Sequence, residues 1–537
     1  MTKQIDSLPT TWAECPIEDI FAPLEDGRTL HQGWSPQCES FPSGSEETWG
    51  ALRTTAIQPA SFEPEHNKAL PSHLTPRPLL QVRAGDLLIT CAGPRARCGI
   101  ACLVRSTRPR LMISGKMYRF RTPYNQMDPR FLELYLQTGQ ALAEIDRMKT
   151  GGSDSGLNLT HERFRELRVP VAPFNEQVRI ADEIEKQFTR LDTATAALKR
   201  VQANLKRYRA SVLKAACEGR LVPTEAELAR REGRSYEPAS LLLNRILAER
   251  RSRWEAEQLN KYRITKKLPS DQKLKAGYKP PTDPDLAFHD IPEGWSVTNL
   301  GQVAWSVKDG PHYSPKYAQS GIPFVTGGQV RPSGVDFDSA KRISPALHAE
   351  LTRRCKPETG DILYTKGGTT GIARVNTYDF EFSVWVHVAV LKLVPSIDPF
   401  YVQHVLNSPS CFAQAQRFTH GVGNQDLGLT RMVRITFGLP PLREQRRIVE
   451  EADRRLSVIE ELEAQASTNL AKAQQLRQAI LRRAFEGSLV FQDPHDEPAK
   501  ALLERIRRTA NPGYAPTQGK GNHQSRRELA SKETFHV

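Results

Sequence analysis

The side chains in this sequence best suited to grip a polyanion sit in four short loops. In the first half "CAGPRARCG" carries Arg95 and Arg97, and "SGKMYRFR" carries Lys116, Arg119 and Arg121. In the second half "TKGGTTG" carries Lys366, Thr369 and Thr370, and the turn "VKDGPHYSP" carries Lys308 and His312. Arg and Lys present N–H groups to phosphate or carbonyl oxygens, and the glycines around them let the backbone come close. Two glycine-rich turns, "GGSDSGLNLT" with Gly151 and Gly152 and "GVGNQDLGLT" with Gly421 and Gly423, leave two roles open: approach to a phosphate backbone, or a helix end that needs positive φ. Asn158, Thr160 and Thr430 in these turns suit capping or bracing of the helical segment that follows.

Constellations that break bonds are missing. "KGGTTG" has the glycines of a phosphate loop without the Lys that should follow, and the 13 His form no HExxH pair. Glu183 to Lys186, "EIEK", superficially resembles the Glu-x-Lys of a nuclease, but its spacing is Glu-x-x-Lys and it falls on an amphipathic stretch where a solvated charged face is the simpler reading. The eight cysteines include no CxxC, and Cys91, Cys98 and Cys102 lack a fourth ligand, so neither a disulfide framework nor a metal site is expected. No apolar run approaches the roughly 18 residues of a membrane span, and the amino-terminal "MTKQIDSLPTTW" has no apolar signal core. The expectation is a cytoplasmic protein with reduced thiols. A net charge of +14 points to a polyanionic partner. The excess concentrates at 249–279, net +6, and at 499–537, net +5, as solvated linker and tail charge or as phosphate contacts.

The elements that must position these loops come from a duplication. "APFNEQVRI" (172–180) recurs as "PPLREQRRI" (440–448), and the segments Pro173 to Val222 and Pro441 to Val490 align without a gap. Upstream, "AGDLLIT" (84–90) pairs with "TGDILYT" (359–365), and "LPTTWAECPIEDI" (8–20) with "IPEGWSVTNLGQV" (291–303), in the same order. After each Pro-x-x-Glu-Gln-x-Arg-Ile the apolar residues fall at three-four spacing. They are Ile184, Phe188, Leu191, Leu198, Leu205 and Val212, widened by Val201 and Tyr208, and then Ile448, Ala452, Leu456, Ile459, Ala466, Leu470, Ala473, Ile480 and Ala484. This predicts helices over about 175–218 and 443–486, each roughly 60 Å long and closed by Gly219 or Gly487. A helix of that length with one apolar stripe needs a partner, and the other copy, antiparallel, is the nearest. Glycine-punctuated β runs precede each helix.

The expected fold is therefore α+β: two globular α/β domains joined by two long antiparallel coiled-coil helices, with a pseudo-twofold internal repeat. The segments are 1–158 and 291–428 for the domains, 159–260 for the first helix with a charged second helix, 261–290 for a basic Pro-containing linker, 429–490 for the distal helix, and 491–537 for a basic tail.

This ordered recurrence resembles the specificity subunit of type I restriction-modification systems. The Trp-bearing start, the Gly-Asp-Ile-Leu core, the Gly-x-x-x-x-x-Leu-x-Leu-Thr turn and Pro-x-x-Glu-Gln-x-Arg-Ile cover about residues 8–490. The first copy departs from the pattern in lacking a counterpart of Gln425. The resemblance implies two target-recognition domains, each reading half of a split double-stranded DNA target, with the helices as spacers and as docking surfaces for two modification methyltransferase subunits. It implies no catalysis and no cofactor in this chain. S-adenosylmethionine would sit on those partners, and ATP and Mg2+ on restriction/translocase subunits where the system has them. Absence of Asn/Asp-Pro-Pro-Tyr/Phe, expected of the methylating partner, agrees. The loop residues above then become candidates for DNA contact, each weighed against an ordinary solvated-loop role. In the repeated motif, Glu176, Gln177, Arg179, Glu444, Gln445 and Arg447 mark a domain–helix junction: the glutamates suit the positive end of the helix dipole, and the arginines suit bracing of the domain or contact with a partner subunit. The competing reading is a coiled-coil scaffold whose globular domains bind proteins.

Overall fold

Each half builds its core on one short strand whose residues are all apolar or small, "LLIT" and "ILYT", a pattern that suits burial on both faces. The computed structural model describes residues 8–265, 277–284, 291–421 and 425–510; Gly423, much of the 261–290 linker and the tail beyond 510 lie outside them. The chain divides into two compact α+β units, Met1–Ala197 with Asn469–Val537, and Leu198–Thr468.

In the first unit Leu87–Thr90 lies inside a four-stranded antiparallel sheet, in the order His31–Gln32, Met117–Phe120, Leu87–Thr90, Ala101–Leu103. Leu87 and Ile89 enter one core with Trp12, Phe120 and Phe131, and Leu88 enters the other with Leu52, Val82 and Ile113, as a period of two requires. The strand is launched by Gly85 at φ 88°, with Asp86 accepting the Arg83 amide at 2.7 Å. Helices Pro129–Tyr135 and Gly139–Met148 are capped by Asp128 and Thr138, and Ala13–Pro16 pairs antiparallel with Arg168–Val171.

The second unit repeats the order. Its sheet runs Ala304–Asp309, Val388–Leu393, Ile362–Thr365, Ala373–Val375. Ile362 and Tyr364 join Trp295, Tyr401 and Phe437 in one core, whereas Leu363 joins Val325 and Phe382 in the other. Gly360 has φ 91°, and Asp361 accepts the Glu358 amide at 2.8 Å. Helices Pro399–Leu406 and Pro409–Phe418 are capped by Asp398 and Ser408, and Ser296–Asn299 pairs with Thr436–Leu439.

The long helices run Phe174–Cys217 and Leu442–Phe485, 44 residues each, one residue from the expected starts and ends. Within the first unit Ile180, Ile184 and Phe188 share a core with Ile480, Leu481 and Ala484, and the Arg477 guanidinium lies 3.8 Å over Phe188 and 2.7 Å from Asp192. Within the second unit Gln202 bonds Ser467 at 3.0 Å and Arg209 bonds Glu463 at 3.1 Å, so the helix stretches there run antiparallel. The stripe is narrower than the sequence suggests: Val201 is 44% and Tyr208 48% exposed. A single partner helix covers a seam rather than the full width of an amphipathic face.

Gly219 and Gly487 end the helices at φ 65° and 70°. A Cβ on Gly219 would lie 2.4 Å from Pro292 Cγ, so left-handed backbone and close approach both demand glycine. Gly219→Ala is expected to destabilise the second unit by about 1–3 kcal/mol, read as a shift in the denaturant midpoint.

The basic tail expected from 491 onward begins instead as a helix, Ala499–Ala510, whose Ala499, Leu502, Leu503 and Ile506 are buried in the first unit's core. Its signal is a further repeat, "EPASLLLNRIL" (237–247) against "EPAKALLERIR" (497–507). The structure treats the two alike: the Ala239 amide donates to Gly294 O at 2.8 Å, and the Ala499 amide to Thr11 O at 2.9 Å, each beside the start-motif tryptophan. The charged second helix runs Ala239–Thr265.

Candidate nucleic-acid interface

In each unit the loop after the central strand is hydrogen-bonded to the glycine-rich turn some 60 residues on. Leu159 N donates to Cys91 O at 2.8 Å and Arg95 N to Asp154 O at 2.8 Å; Leu427 N donates to Lys366 O at 2.8 Å. Cys91 N also bonds Lys116 O at 2.8 Å, which brings the two first-half loops and the turn together. The turns close as Thr150 with Asn158 and His420 with Asp426. Gly151 has φ 148°, and a Cβ there would meet Gly156 O at 2.6 Å, so hairpin closure accounts for this glycine; Gly421 has φ 144°, and Gly152 is open to solvent. Thr160 caps helix His161–Arg165, whereas Gly428 rather than Thr430 sits at the start of Leu429–Met432.

Several expected DNA contacts turn out to be internal. Arg119 is 1% exposed, with its guanidinium 2.7 Å from Glu25, 3.6 Å from Asp86 and donating to Gln81 O. Its strand, Met117–Phe120, is covered on both faces, so no side chain on it faces water. Arg121 is partly exposed and held by Asp86 at 2.5 Å and Glu25 at 3.3 Å. Burial pushes the Asp86 carboxyl up in pKa, and the Arg119 and Arg121 charges oppose that rise. Arg97 donates to Thr54 O, to Ile57 O at 2.7 Å and to Gln58 at 3.1 Å, pinning a neighbouring loop.

Lys366 is 3% exposed, its Nζ 2.7 Å from Asp426 and 3.4 Å from Asp309, and Thr370 is 6% exposed. Gly367 and Gly371 in this loop serve packing, since a Cβ would strike His387 Nδ1 at 2.1 Å or Phe412 at 2.8 Å. Burial is the reason these residues leave the candidate set: a lysine whose ammonium is buried between two carboxylates is committed to an internal ion pair.

What remains on the surface is smaller. Arg95 is half exposed, but Asp154 at 3.0 Å and Asp146 at 2.6 Å neutralise it. Lys116 and Lys308 are exposed and have no side-chain partner among the described residues. His312 is 63% exposed and touches Asp309 at 3.1 Å, and Thr369, also exposed, bonds Gly327 O at 3.3 Å.

The Glu-Gln motifs form matching junctions. Gln177 accepts the Asp128 amide at 2.9 Å and donates to Ala172 O at 2.8 Å; Gln445 accepts the Asp398 amide at 3.0 Å and donates to Pro440 O at 3.0 Å. Each glutamine thus ties the cap of a domain helix to the strand exit before the long helix. Glu444 is fully buried and accepts the Trp295 indole N–H at 2.8 Å and the Glu225 amide at 2.8 Å. The expected interaction with its own helix's free amides is replaced by one with the amino-terminal turn of a different helix, Glu225–Glu232. Glu176 is 1% exposed, and burial raises its pKa while the Trp12 indole lowers it. Trp12 Nε1 and Glu176 Oε1 do not reach hydrogen-bonding geometry, unlike the Trp295–Glu444 pair. Arg447 pairs with Glu225 at 2.6 Å and Arg179 with Asp496 at 2.7 Å. The arginines therefore brace the helix against the segment that follows the other long helix. The sequence places both tryptophans in a repeated block but does not reveal their partner, 149 residues away for Trp295 and Glu444.

Among the described residues no group of three His, Cys, Asp or Glu is placed to hold a metal, and no helix is long and apolar enough to cross a membrane. Residues 292–470, which contain the second junction, match the family described as type I restriction modification DNA specificity domain. The chain is 35% identical over 195 residues to the type I restriction enzyme EcoEI specificity subunit of Escherichia coli, which covers 36% of this chain and 32% of that protein. It is 24% identical over 364 residues to the EcoBI specificity subunit of Escherichia coli, covering 65% of this chain and 66% of the relative. The chain thus spans between about a third and two thirds of the length of these curated relatives. A solved structure described as the basis of complex assembly and conformational transition of the type I R-M system shares the fold, with TM-score 0.56 and 17% identity over 90% of this chain and 100% of that one. Residues 292–470 thus match the type I restriction modification DNA specificity domain, and the curated proteins that the chain resembles are specificity subunits of type I restriction enzymes.

Proposed function

We propose that the chain is the DNA-recognising, non-catalytic subunit of a type I restriction-modification complex, with two domains that each read one half of a split target. The observation that carries this is the recurrence of the junction. Gln445 with Asp398 and Glu444 with Trp295 lie inside the matched domain; Gln177 with Asp128 repeats the glutamine bond in the first unit, where Glu176 is likewise buried beside the Trp12 indole. A second copy of the junction argues for a second recognition domain. The long helices act as an antiparallel coiled-coil spacer in a pseudo-twofold repeat and dock two methyltransferase subunits. S-adenosylmethionine is held by those partners, and ATP with Mg2+ by restriction subunits in systems that have them. The complex works in the cytoplasm.

Methylation mapping in the host with and without this gene gives the target and tests the reading together. On that target the chain is expected to bind duplex DNA selectively, with affinity that falls steeply as salt rises; a protein-binding scaffold shows neither property. Lys116→Ala is expected to weaken target and non-target binding alike and to lower the slope of log K against log salt by about 1, with the unfolding midpoint unchanged. A change in sequence preference instead would make Lys116 a base-reading residue.

A further inference from the structure

The second unit places part of the basic stretch 249–279 on one wall of a cleft of about 490 Å3. Helix Ala239–Thr265 contributes Arg250 and Trp254, the returning chain contributes Tyr278 and Lys279, and strand Ala304–Asp309 contributes Trp305 and Lys308. Further cations line the cleft but are spoken for. Arg354 pairs with Asp309 at 2.8 Å, Lys356 with Glu381 at 3.6 Å, Lys392 with Asp361 at 2.6 Å and Arg253 with Glu257 at 3.2 Å.

The aromatic rings are engaged as well. The Arg253 guanidinium lies 4.5 Å over Trp305, and Trp254 packs on Tyr278 with ring centroids 5.5 Å apart. These rings prop the cations and stiffen the wall, so base stacking is not what the cleft offers.

What is left over is positive charge. Lys279 and Lys308 are exposed and have no ion-pair or hydrogen-bond partner among the described residues. Arg250 has Nε and Nη1 buried without a partner among them. Burial lowers the Arg250 pKa, and the adjacent Tyr278 works against that shift. A guanidinium with buried, unpaired N–H groups that shares a cleft with two unpaired ammonium groups is relieved by an anion there. Several cations lining one cleft, with its aromatic rings already engaged, suit the singly charged groups of a phosphodiester backbone.

We propose that this cleft clamps the sugar–phosphate backbone of DNA beside the sequence read by the second unit, adding affinity without adding sequence preference. The proposal rests on the DNA-recognition reading above. Its test is the full-length double variant Lys279→Gln/Lys308→Gln, compared with wild type across a salt series on the mapped target duplex and on a scrambled duplex. The slope of log K against log salt is expected to fall by about 1.8, or 0.9 for each phosphate that no longer has its lysine. Affinity should drop by the same factor on both duplexes, so that their ratio is unchanged, and Lys279→Arg/Lys308→Arg should keep the wild-type slope. An unchanged slope with wild-type selectivity intact overturns the clamp while the recognition function stands. An unchanged slope with weakened binding to polyglutamate, used as an acidic-peptide probe, assigns the cleft to a protein partner and also overturns it. A wild-type chain with no preference between the duplexes overturns the recognition reading itself.

Discussion

Arg119→Ala will unfold the first unit rather than weaken a surface contact, with an expected loss of about 3–5 kcal/mol. The residue is 1% exposed and sits between Glu25 at 2.7 Å and Asp86 at 3.6 Å, and Asp86 itself is fully buried. Removing the guanidinium leaves that carboxylate with Arg121 as its one remaining cation, beside the Arg83 amide, and strips the Gln81 carbonyl of its donor. A buried charge without its partner costs far more than the pair contributes when both are present. Arg119→Lys should fall in between, because a single ammonium nitrogen cannot stand where both Nη1 and Nη2 stand when they reach the Gln81 carbonyl and Glu25. The measurement is a denaturant midpoint for each variant, with DNA affinity measured where the variant is still folded. If Arg119→Ala keeps the wild-type midpoint but loses DNA affinity, the buried position is wrong and the contact reading of this arginine returns.

That contrast marks the limit of what the sequence shows. The helices can be read to within a residue because Pro173 and Pro441 open them, Gly219 and Gly487 close them, and a three-four stripe fills the space between. The central strands are readable for a similar reason, as short apolar runs after a Gly-Asp turn. "SGKMYRFR" defeats the same logic. Alternation would send Arg119 and Arg121 to solvent on one face, but the strand has no solvent face, and the nearer carboxylate that meets Arg119, Glu25, lies 94 residues away. Lys366 is hidden likewise by Asp426, 60 residues on. Nothing local marks an arginine or lysine as paired inside. The helix at Ala499–Ala510 escapes sequence reading for the opposite reason. Its lysine and arginines give it the look of a solvated tail, while Leu502, Leu503 and Ile506 carry the buried stripe.

The junction yields the second large effect. Glu444→Ala removes the acceptor of two buried donors, Trp295 Nε1 and the Glu225 amide, each 2.8 Å from a carboxylate oxygen. At about 1–3 kcal/mol for each of the two donors left unsatisfied, the expected loss is about 2–6 kcal/mol. Glu444→Gln should cost less, since its carbonyl oxygen keeps one of the two donors. The glutamine variant also has a pH signature. Burial raises the Glu444 pKa above 4.5 and the Glu225 carboxylate adds to the rise, while the Glu225 amide, Trp295 and Arg447 oppose it. The folded state therefore holds the proton more tightly than the unfolded chain. Wild-type stability from this group is fully present below pH 4.5 and is lost as pH climbs through the raised folded value. Glu444→Gln cannot titrate, so the gap between wild type and variant should narrow over that window and stay constant above it. Urea midpoints for the three proteins at several pH values decide the matter. A gap that widens with pH would mean that the carboxylate is favoured in its charged form, and that the indole and amide outweigh burial at this junction.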